Sequence, residues 1–136
     1  MAEKPSSDIP PPLPAIVLLV DDEPSIRAFA SMALRGHVQE VHVAASGTEG
    51  QRLAVDLPHL DILITDIILP DFPGLQLAEI VRRWHPRVRV LVMSGYLPDH
   101  VAGPDMVFLQ KPFSAAELIA RVREAFPGEP PGTRDG

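Results

Sequence analysis

Five short segments rich in apolar residues recur along the chain, and each ends at a polar residue or a turn. Such segments are long enough for a buried strand and too short for an independent helix. They lie at 15–20, 38–44, 62–64, 88–93 and 106–109. Most of them are continuous and do not alternate with polar positions, which predicts strands buried on both faces, as in a parallel sheet.

Helical patterns separate these strands. Apolar residues three and four positions apart predict four helices, which begin near Pro24, Ser46, Gly74 and Ser114. Ser46 and Ser114 each stand three residues before a glutamate, the spacing of a capping box. Trp84 lies on the apolar stripe of the third helix, so we expect its indole in the core. Strands that alternate with helices predict right-handed βαβ units and a doubly wound α/β fold with a parallel sheet.

The two ends of the chain differ from this alternating part. Residues 1–14 contain five prolines, and residues 127–136 are rich in proline and glycine. Both compositions favour extended or disordered chain. We therefore expect a disordered arm at 1–14, one domain at 15–126 and a flexible tail at 127–136. We expect no further domain after residue 126, and therefore either a stand-alone domain or one cut from a longer chain.

Composition and charge narrow the class of protein. The chain is 46% hydrophobic and 22% charged, as expected of a globular domain with a real core. A net charge of −6 argues against a nucleic-acid surface, which needs clustered Lys and Arg. No apolar run approaches the roughly 20 residues that span a bilayer, and the N-terminus lacks the apolar centre of a signal peptide. We expect a soluble cytoplasmic protein that binds neither nucleic acid nor membrane.

Chemically active side chains follow the predicted strands. Asp21 and Asp22 end the first strand, Asp66 the third and Ser94 the fourth, and Lys111 follows the fifth. In open α/β sheets, ligands bind at the carboxyl ends of the strands. Carboxylates held together repel one another unless a cation intervenes, and Mg²⁺ favours oxygen ligands.

This set of residue types is what a phosphoryl-transfer site uses. Asp66 can attack a phosphorus atom and form an aspartyl phosphate. Lys111 and a metal ion would offset the charge on the phosphoryl oxygens, and Ser94 would supply a hydroxyl donor.

Taken in order, these motifs resemble the signature of the response-regulator receiver domain of two-component signalling. The resemblance covers residues 15–126 and is carried by Asp21-Asp22, Asp66 with Pro70 and Gly74, Ser94, and Lys111-Pro112-Phe113. It implies a flavodoxin-like five-stranded sheet of order 2-1-3-4-5. It also implies a phosphoacceptor switch and not an enzyme, with at most Mg²⁺-dependent self-phosphorylation and slow self-dephosphorylation.

The resemblance gives Asp66 the role of phosphoacceptor. Its phosphoryl group would come from the phosphohistidine of a histidine kinase or a histidine phosphotransfer protein. Asp22, Asp66 and the backbone carbonyl of Ile68 would hold Mg²⁺, and Asp21 would act on the metal largely through water.

The remaining roles implied by the resemblance concern the switch. Lys111 would bind the phosphoryl group, and Ser94 would swing towards it. Phe108 would turn inward, so that a local change of charge alters a surface that binds an output partner. That partner is unknown from the residues, and we expect a monomer or a weak homodimer.

Three features depart from the usual receiver pattern or refine it. The interval from Ser94 to Lys111 is short and leaves only 99–102 for the fourth helix, which we expect to be shortened or missing. Ile68 and Tyr96 stand where receivers that dephosphorylate quickly tend to carry polar groups, so we expect a long-lived phosphoryl group. The sequence of 94–96 and 108–113 resembles the receivers of hybrid histidine kinases.

Other interpretations stay open at this point. The acids at 21–23 could cap the first helix, Asp66 could be a turn residue, and Phe108 could belong to the core. A phosphohydrolase of the haloacid dehalogenase group would also use an aspartate nucleophile and Mg²⁺, although it would carry a second aspartate where Ile68 stands. A receiver-like interaction module that is never phosphorylated is the other alternative.

Overall fold

The structure, a computed structural model, describes residues 11–95 and 106–126. The strands are β1 (Leu13–Val20), β2 (Val38–Ala44), β3 (Ile62–Asp66), β4 (Arg89–Ser94) and β5 (Met106–Gln110). The helices are α1 (Pro24–Leu34), α2 (Gly47–Asp56), α3 (Gly74–Trp84) and α4 (Ala115–Ala125). Each predicted strand and helix among these residues is present.

The five strands form one sheet of order β2-β1-β3-β4-β5, and every neighbouring pair is parallel. This confirms the predicted doubly wound fold and strand order. The chain passes from β1 to β2 on one side and then to β3 on the other, so the direction of winding reverses at β1. Ligand sites of open α/β sheets lie at such a reversal. Val20 pairs with Thr65, which brings the residues that follow, Asp21 and Asp66, side by side.

The core has two layers, one on each face of the sheet. On β1, Val17 and Leu19 belong to the cluster that includes Leu34 of α1 and Val122 of α4. Leu18 and Val20 belong to the opposite cluster, which is covered by α2 and α3 and includes Ala54, Leu77, Ala78 and Val81. Because successive strand residues point to opposite faces, a continuous apolar run fills both layers.

The first strand begins earlier than predicted. β1 begins at Leu13 and not at Ala15, because the Leu13 N–H donates to the carbonyl oxygen of His37 over 2.8 Å. Most of the predicted arm, the tail at 127–136 and the predicted short helix at 99–102 lie outside the described residues. Within the described residues, no helix has the length and apolar character that crossing a membrane requires.

The helix starts follow the sequence signals. Pro24 occupies the first turn of α1. The Ser46 hydroxyl accepts a hydrogen bond from the Glu49 N–H at the start of α2, but the Glu49 carboxylate accepts from the Ala45 N–H over 2.7 Å and does not complete a capping box. Ser114 and Glu117 form a reciprocal capping box at the start of α4, as predicted.

Trp84 is not in the core, contrary to the prediction, and is 56% exposed. The buried face of α3 runs through Leu77, Ala78 and Val81, and it continues four positions later at His85. The His85 Nε2 lies 2.8 Å from the carbonyl oxygen of Ala54 on α2. Trp84 precedes His85 by one position, a rotation of about 100° around the helix axis, and therefore points away from the core.

Candidate functional site

Three carboxylates meet at the carboxyl edge of β1 and β3. Asp21, Asp22 and Asp66 each offer one oxygen atom, and these three atoms lie within 4.8 Å of one another. Asp21 is fully buried, Asp66 is half-buried and Asp22 is exposed. The parallel register of β1 and β3 accounts for this grouping, because both strands end at the same height.

Lys111 closes the cluster from the loop after β5. Its Nζ lies 2.8 Å from Asp21 Oδ2 and 2.6 Å from Asp66 Oδ2. A third carboxylate oxygen, Glu23 Oε1, lies 3.4 Å away. The Lys111 N–H also donates to the carbonyl oxygen of Ser94 over 2.8 Å, which ties the loop to the end of β4. The lysine is 15% exposed, so its contacts are only weakly screened by solvent.

The charges in this cluster are not balanced. Burial raises the pKa of Asp21, and its hydrogen bonds with Lys111 and the Glu23 N–H oppose this only in part. Burial alone would lower the pKa of Lys111, but the bonds to Asp21 and Asp66 outweigh it and raise that pKa above its ordinary value. Lys111 is therefore charged at neutral pH. Since the carboxylates outnumber the ammonium groups they contact, an added cation would stabilise the cluster.

Two residues of this cluster were missed by the sequence reasoning. Glu23 was read only as a helix-start acid, yet its side chain contacts Lys111 and makes no cap hydrogen bond to α1. Arg27 donates from Nη1 to the carbonyl oxygen of Asp21 over 2.8 Å and so holds the loop after β1. The signal that could have found Arg27 is its position, a turn of helix after the acidic residues.

The backbone around Asp66 is tightly packed. Asp66 Oδ1 accepts a hydrogen bond from the Ile68 N–H over 3.0 Å. The Gly74 N–H donates to the carbonyl oxygen of Ile67 over 2.7 Å. A Cβ at Gly74 would overlap the carbonyl oxygen of Asp66, so the close approach of α3 to the end of β3 requires glycine.

The other predicted site residues lie around this cluster. Ser94 is buried at the end of β4 and lines an open cleft with Asp66, Ile68 and Asp22. Phe108 is half-buried against the core cluster under α2 and α3. Ile68 is 74% exposed. Tyr96, to which we assigned a part in phosphoryl lifetime, lies outside the described residues.

The cluster fits a hard divalent cation. Its donors are carboxylate oxygens from three residues, close enough together for one ion to reach all of them. Mg²⁺ takes oxygen ligands and is commonly held by one or two carboxylates and water. Asp22 and Asp66 both line the open cleft, so an ion can approach their carboxylates from that side.

A parallel sheet of this order, with acids and a lysine at its carboxyl edge, defines a flavodoxin-like domain of the receiver type. Residues 17–123 match the family described as the response regulator receiver domain. The chain belongs to this family, and it is a receiver domain of two-component systems. This family match favours a receiver domain over a phosphohydrolase of the haloacid dehalogenase group.

Individual relatives agree with this assignment. The chain is 35% identical over 116 residues to the sensor kinase CckA of Brucella abortus, a match that covers 81% of this chain and 12% of the relative. It is 36% identical over 115 residues to the transcriptional regulatory protein TrcR of Mycobacterium tuberculosis, covering 81% of this chain and 44% of the relative. The chain therefore spans less than half the length of these proteins.

Solved structures give the same result for the fold. The receiver domain of the hybrid histidine kinase CckA superposes with a TM-score of 0.72 at 32% identity, covering 81% of this chain and 97% of that domain. The chemotaxis response regulator CheY4 of Vibrio cholerae superposes with a TM-score of 0.74 at 26% identity, covering 82% and 98%.

Proposed function

We propose that Asp66 accepts a phosphoryl group from the phosphohistidine of a histidine kinase or a histidine phosphotransfer protein. The observation that carries this proposal is the position of Lys111, whose ammonium bridges Asp66 and the buried Asp21. Asp66 also lines an open cleft, so its carboxylate is reachable beside a fixed positive charge. An incoming phosphoryl group would meet both at once.

The transfer needs little from the protein besides position and charge. A carboxylate oxygen of Asp66 attacks the phosphorus atom, and the phosphorus–nitrogen bond of the phosphohistidine breaks as the new oxygen–phosphorus bond forms. The imidazole leaves with the electron pair of that bond and takes a proton from solvent. Lys111 then contacts a phosphoryl oxygen, so the ammonium that paired with Asp66 keeps an anionic partner.

The acidic residues would hold Mg²⁺ in this reaction. Asp22, Asp66 and the backbone carbonyl of Ile68 are the proposed ligands, and Asp21 would contact the ion largely through water. When bound, Mg²⁺ offsets the negative charge that gathers on the phosphoryl oxygens. Beyond this transfer we expect at most Mg²⁺-dependent self-phosphorylation and slow self-dephosphorylation of the domain.

Ser94 and Phe108 are the proposed switch residues. Phe108 pairs with Val92, on the strand that Ser94 ends, so a movement of Ser94 towards the phosphoryl group alters packing on the neighbouring edge strand. The half-buried position of Phe108 leaves it able to move further inward. An inward movement of Phe108 would change the surface of β5 that a partner could bind.

The setting of the domain is also a proposal. CckA is a sensor kinase and TrcR a transcriptional regulatory protein, so receivers like this one occur in both kinds of protein. We propose a cytoplasmic receiver domain at 15–126 that is a monomer or a weak homodimer.

Intact mass after incubation with acetyl phosphate and Mg²⁺ tests the proposal. We expect one phosphoryl group on the wild-type chain and none on Asp66→Asn or on metal-free protein. Asp56→Asn is the matched control, because Asp56 is an exposed carboxylate at the far end of α2. Failure of the wild type to gain mass, together with no rise in Tm on adding Mg²⁺ and beryllium fluoride, would contradict the proposal.

A further inference from the structure

Asp71 joins the loop after β3 to the start of α2. Its Oδ1 accepts hydrogen bonds from the N–H of Gly47 over 2.8 Å and of Phe72 over 3.1 Å. Its Oδ2 accepts from the Thr48 N–H over 2.8 Å and from the Thr48 hydroxyl over 2.6 Å. A single carboxylate therefore satisfies two free N–H groups in the first turn of α2 while fixing its own loop.

Phe72 adds a second contact beside the first. A Cβ at Gly47 would lie 2.6 Å from the Cζ of Phe72, so the ring packs directly on the helix backbone. Phe72 also packs against the core cluster under α2 and α3. The Thr48 hydroxyl is the largest cause of a lowered pKa at Asp71, and the N–H groups of Thr48 and Gly47 add to it. The carboxylate is therefore ionised at neutral pH, when its contacts are strongest.

The loop held in this way carries part of the proposed metal site. It runs from Asp66 to Gly74 and includes Ile68, whose carbonyl is the proposed backbone ligand. Its two ends are fixed by the Ile68 N–H bond to Asp66 and by the Gly74 N–H bond to Ile67. Asp71 and Phe72 fix its outer part against α2. A backbone ligand has no side-chain freedom, so its direction depends on how the loop is held.

We propose that Asp71, acting through Thr48, is a positioning residue that orients the Ile68 carbonyl for Mg²⁺. This inference rests on the proposed function, because it concerns the same site. A loop that is already ordered loses less conformational freedom when the ion binds. Residues that orient a metal ligand from outside typically change metal affinity by roughly tenfold or more when removed.

Calorimetric titration of the protein with Mg²⁺ alone tests this without any phosphoryl transfer. We expect Asp71→Ala to bind Mg²⁺ roughly tenfold more weakly than the wild type. Thr48→Val removes the hydroxyl without changing charge, so weaker binding by this variant is not an electrostatic effect. Thr48→Ser restores the hydroxyl and should restore the affinity. Asp56→Asn, which removes a carboxylate from the other end of α2, should bind as the wild type does.

Thermal melts of the metal-free variants separate positioning from simple stability. If Asp71 only stabilised the fold, Asp71→Ala would lower Tm and leave the Mg²⁺ affinity of the folded protein unchanged. If Asp71→Ala does not fold, Thr48→Val carries the test. Wild-type affinity in both Asp71→Ala and Thr48→Val, with wild-type phosphorylation intact, would overturn the positioning role alone. A wild type that neither binds Mg²⁺ nor accepts a phosphoryl group would overturn the proposed function as well.

Discussion

Lys111 places its ammonium nitrogen 2.6 Å from Oδ2 of Asp66, although 45 residues separate the two in the chain. Replacing Lys111 with Gln should slow phosphorylation by acetyl phosphate by roughly a hundredfold, because a fixed donor to the phosphoryl oxygens is lost. The measurement is a time course of intact mass. Arg121→Gln removes a cation that pairs with Glu124 on the surface of α4, and it should react at the wild-type rate.

Asp22 is an exposed carboxylate within the acidic cluster. Without Mg²⁺, Asp22→Asn should raise the free energy of unfolding by up to about 1 kcal/mol, because it relieves repulsion among the acids. The same change should remove most of the rise in Tm that Mg²⁺ gives the wild type. Thermal melts with and without Mg²⁺ measure both effects. A variant that is less stable without the ion and still gains from it would contradict this account of the cluster.

Gly74 lies against the carbonyl oxygen of Asp66. Gly74→Ala should lower the free energy of unfolding by roughly 1–3 kcal/mol, because the added methyl group displaces the end of β3. Urea unfolding followed by circular dichroism measures the change. Gly95→Ala is the matched control, since a Cβ at Gly95 would meet nothing within 4 Å. Equal effects of the two substitutions would show that the close approach at Gly74 is unimportant.

Ile68 lies at the rim of the cleft and is 74% exposed. Ile68→Asn introduces a polar group that can orient a water molecule towards the aspartyl phosphate, so we expect faster loss of the phosphoryl group. The decay of the phosphorylated mass after removal of acetyl phosphate measures this. Ile68→Val keeps the position apolar and should decay at the wild-type rate. No acceleration in Ile68→Asn would count against a role for Ile68 in lifetime.

The lowered pKa of Asp71 makes part of the stability depend on pH. A carboxyl whose pKa falls on folding stabilises the folded state above its ordinary pKa of 3.8 and loses this contribution as the pH falls below it. The difference in Tm between the wild type and Asp71→Asn should therefore be largest near neutral pH and shrink towards about pH 3. A difference that stays constant over this range would exclude the linkage.

The sequence predicted the sheet well because its signals are local and strong. The continuous apolar run in β1 fills two core layers at once, and few other structures tolerate such a run. The acids and Lys111 were found because they stand at the ends of those runs. The ends of the strands were predicted less well. β1 begins two positions before its predicted start, because the Leu13 N–H donates to the carbonyl oxygen of His37. No local sequence pattern indicates this contact.

The misses came from contacts between distant segments. Trp84 and His85 are adjacent in sequence, and only the packing of α3 on α2 decides which of them turns inward. The sequence placed Arg27 in the first helix and Glu23 at its start. The contacts of both residues depend on where the loops after β1 and β5 meet. The bond between Asp71 and Thr48 likewise joins two segments that the sheet order brings together.

The exposure of Ile68 separates the stability of the domain from the expected lifetime of its phosphoryl group, two properties that are often coupled in proteins. Its side chain belongs to neither core layer, so exchanging it should leave folding almost unchanged. We therefore expect substitutions here to change the duration of the phosphorylated state without loss of a stable domain. On the proposed function, we expect that a single substitution at this exposed position adapts the receiver to slower or faster signals.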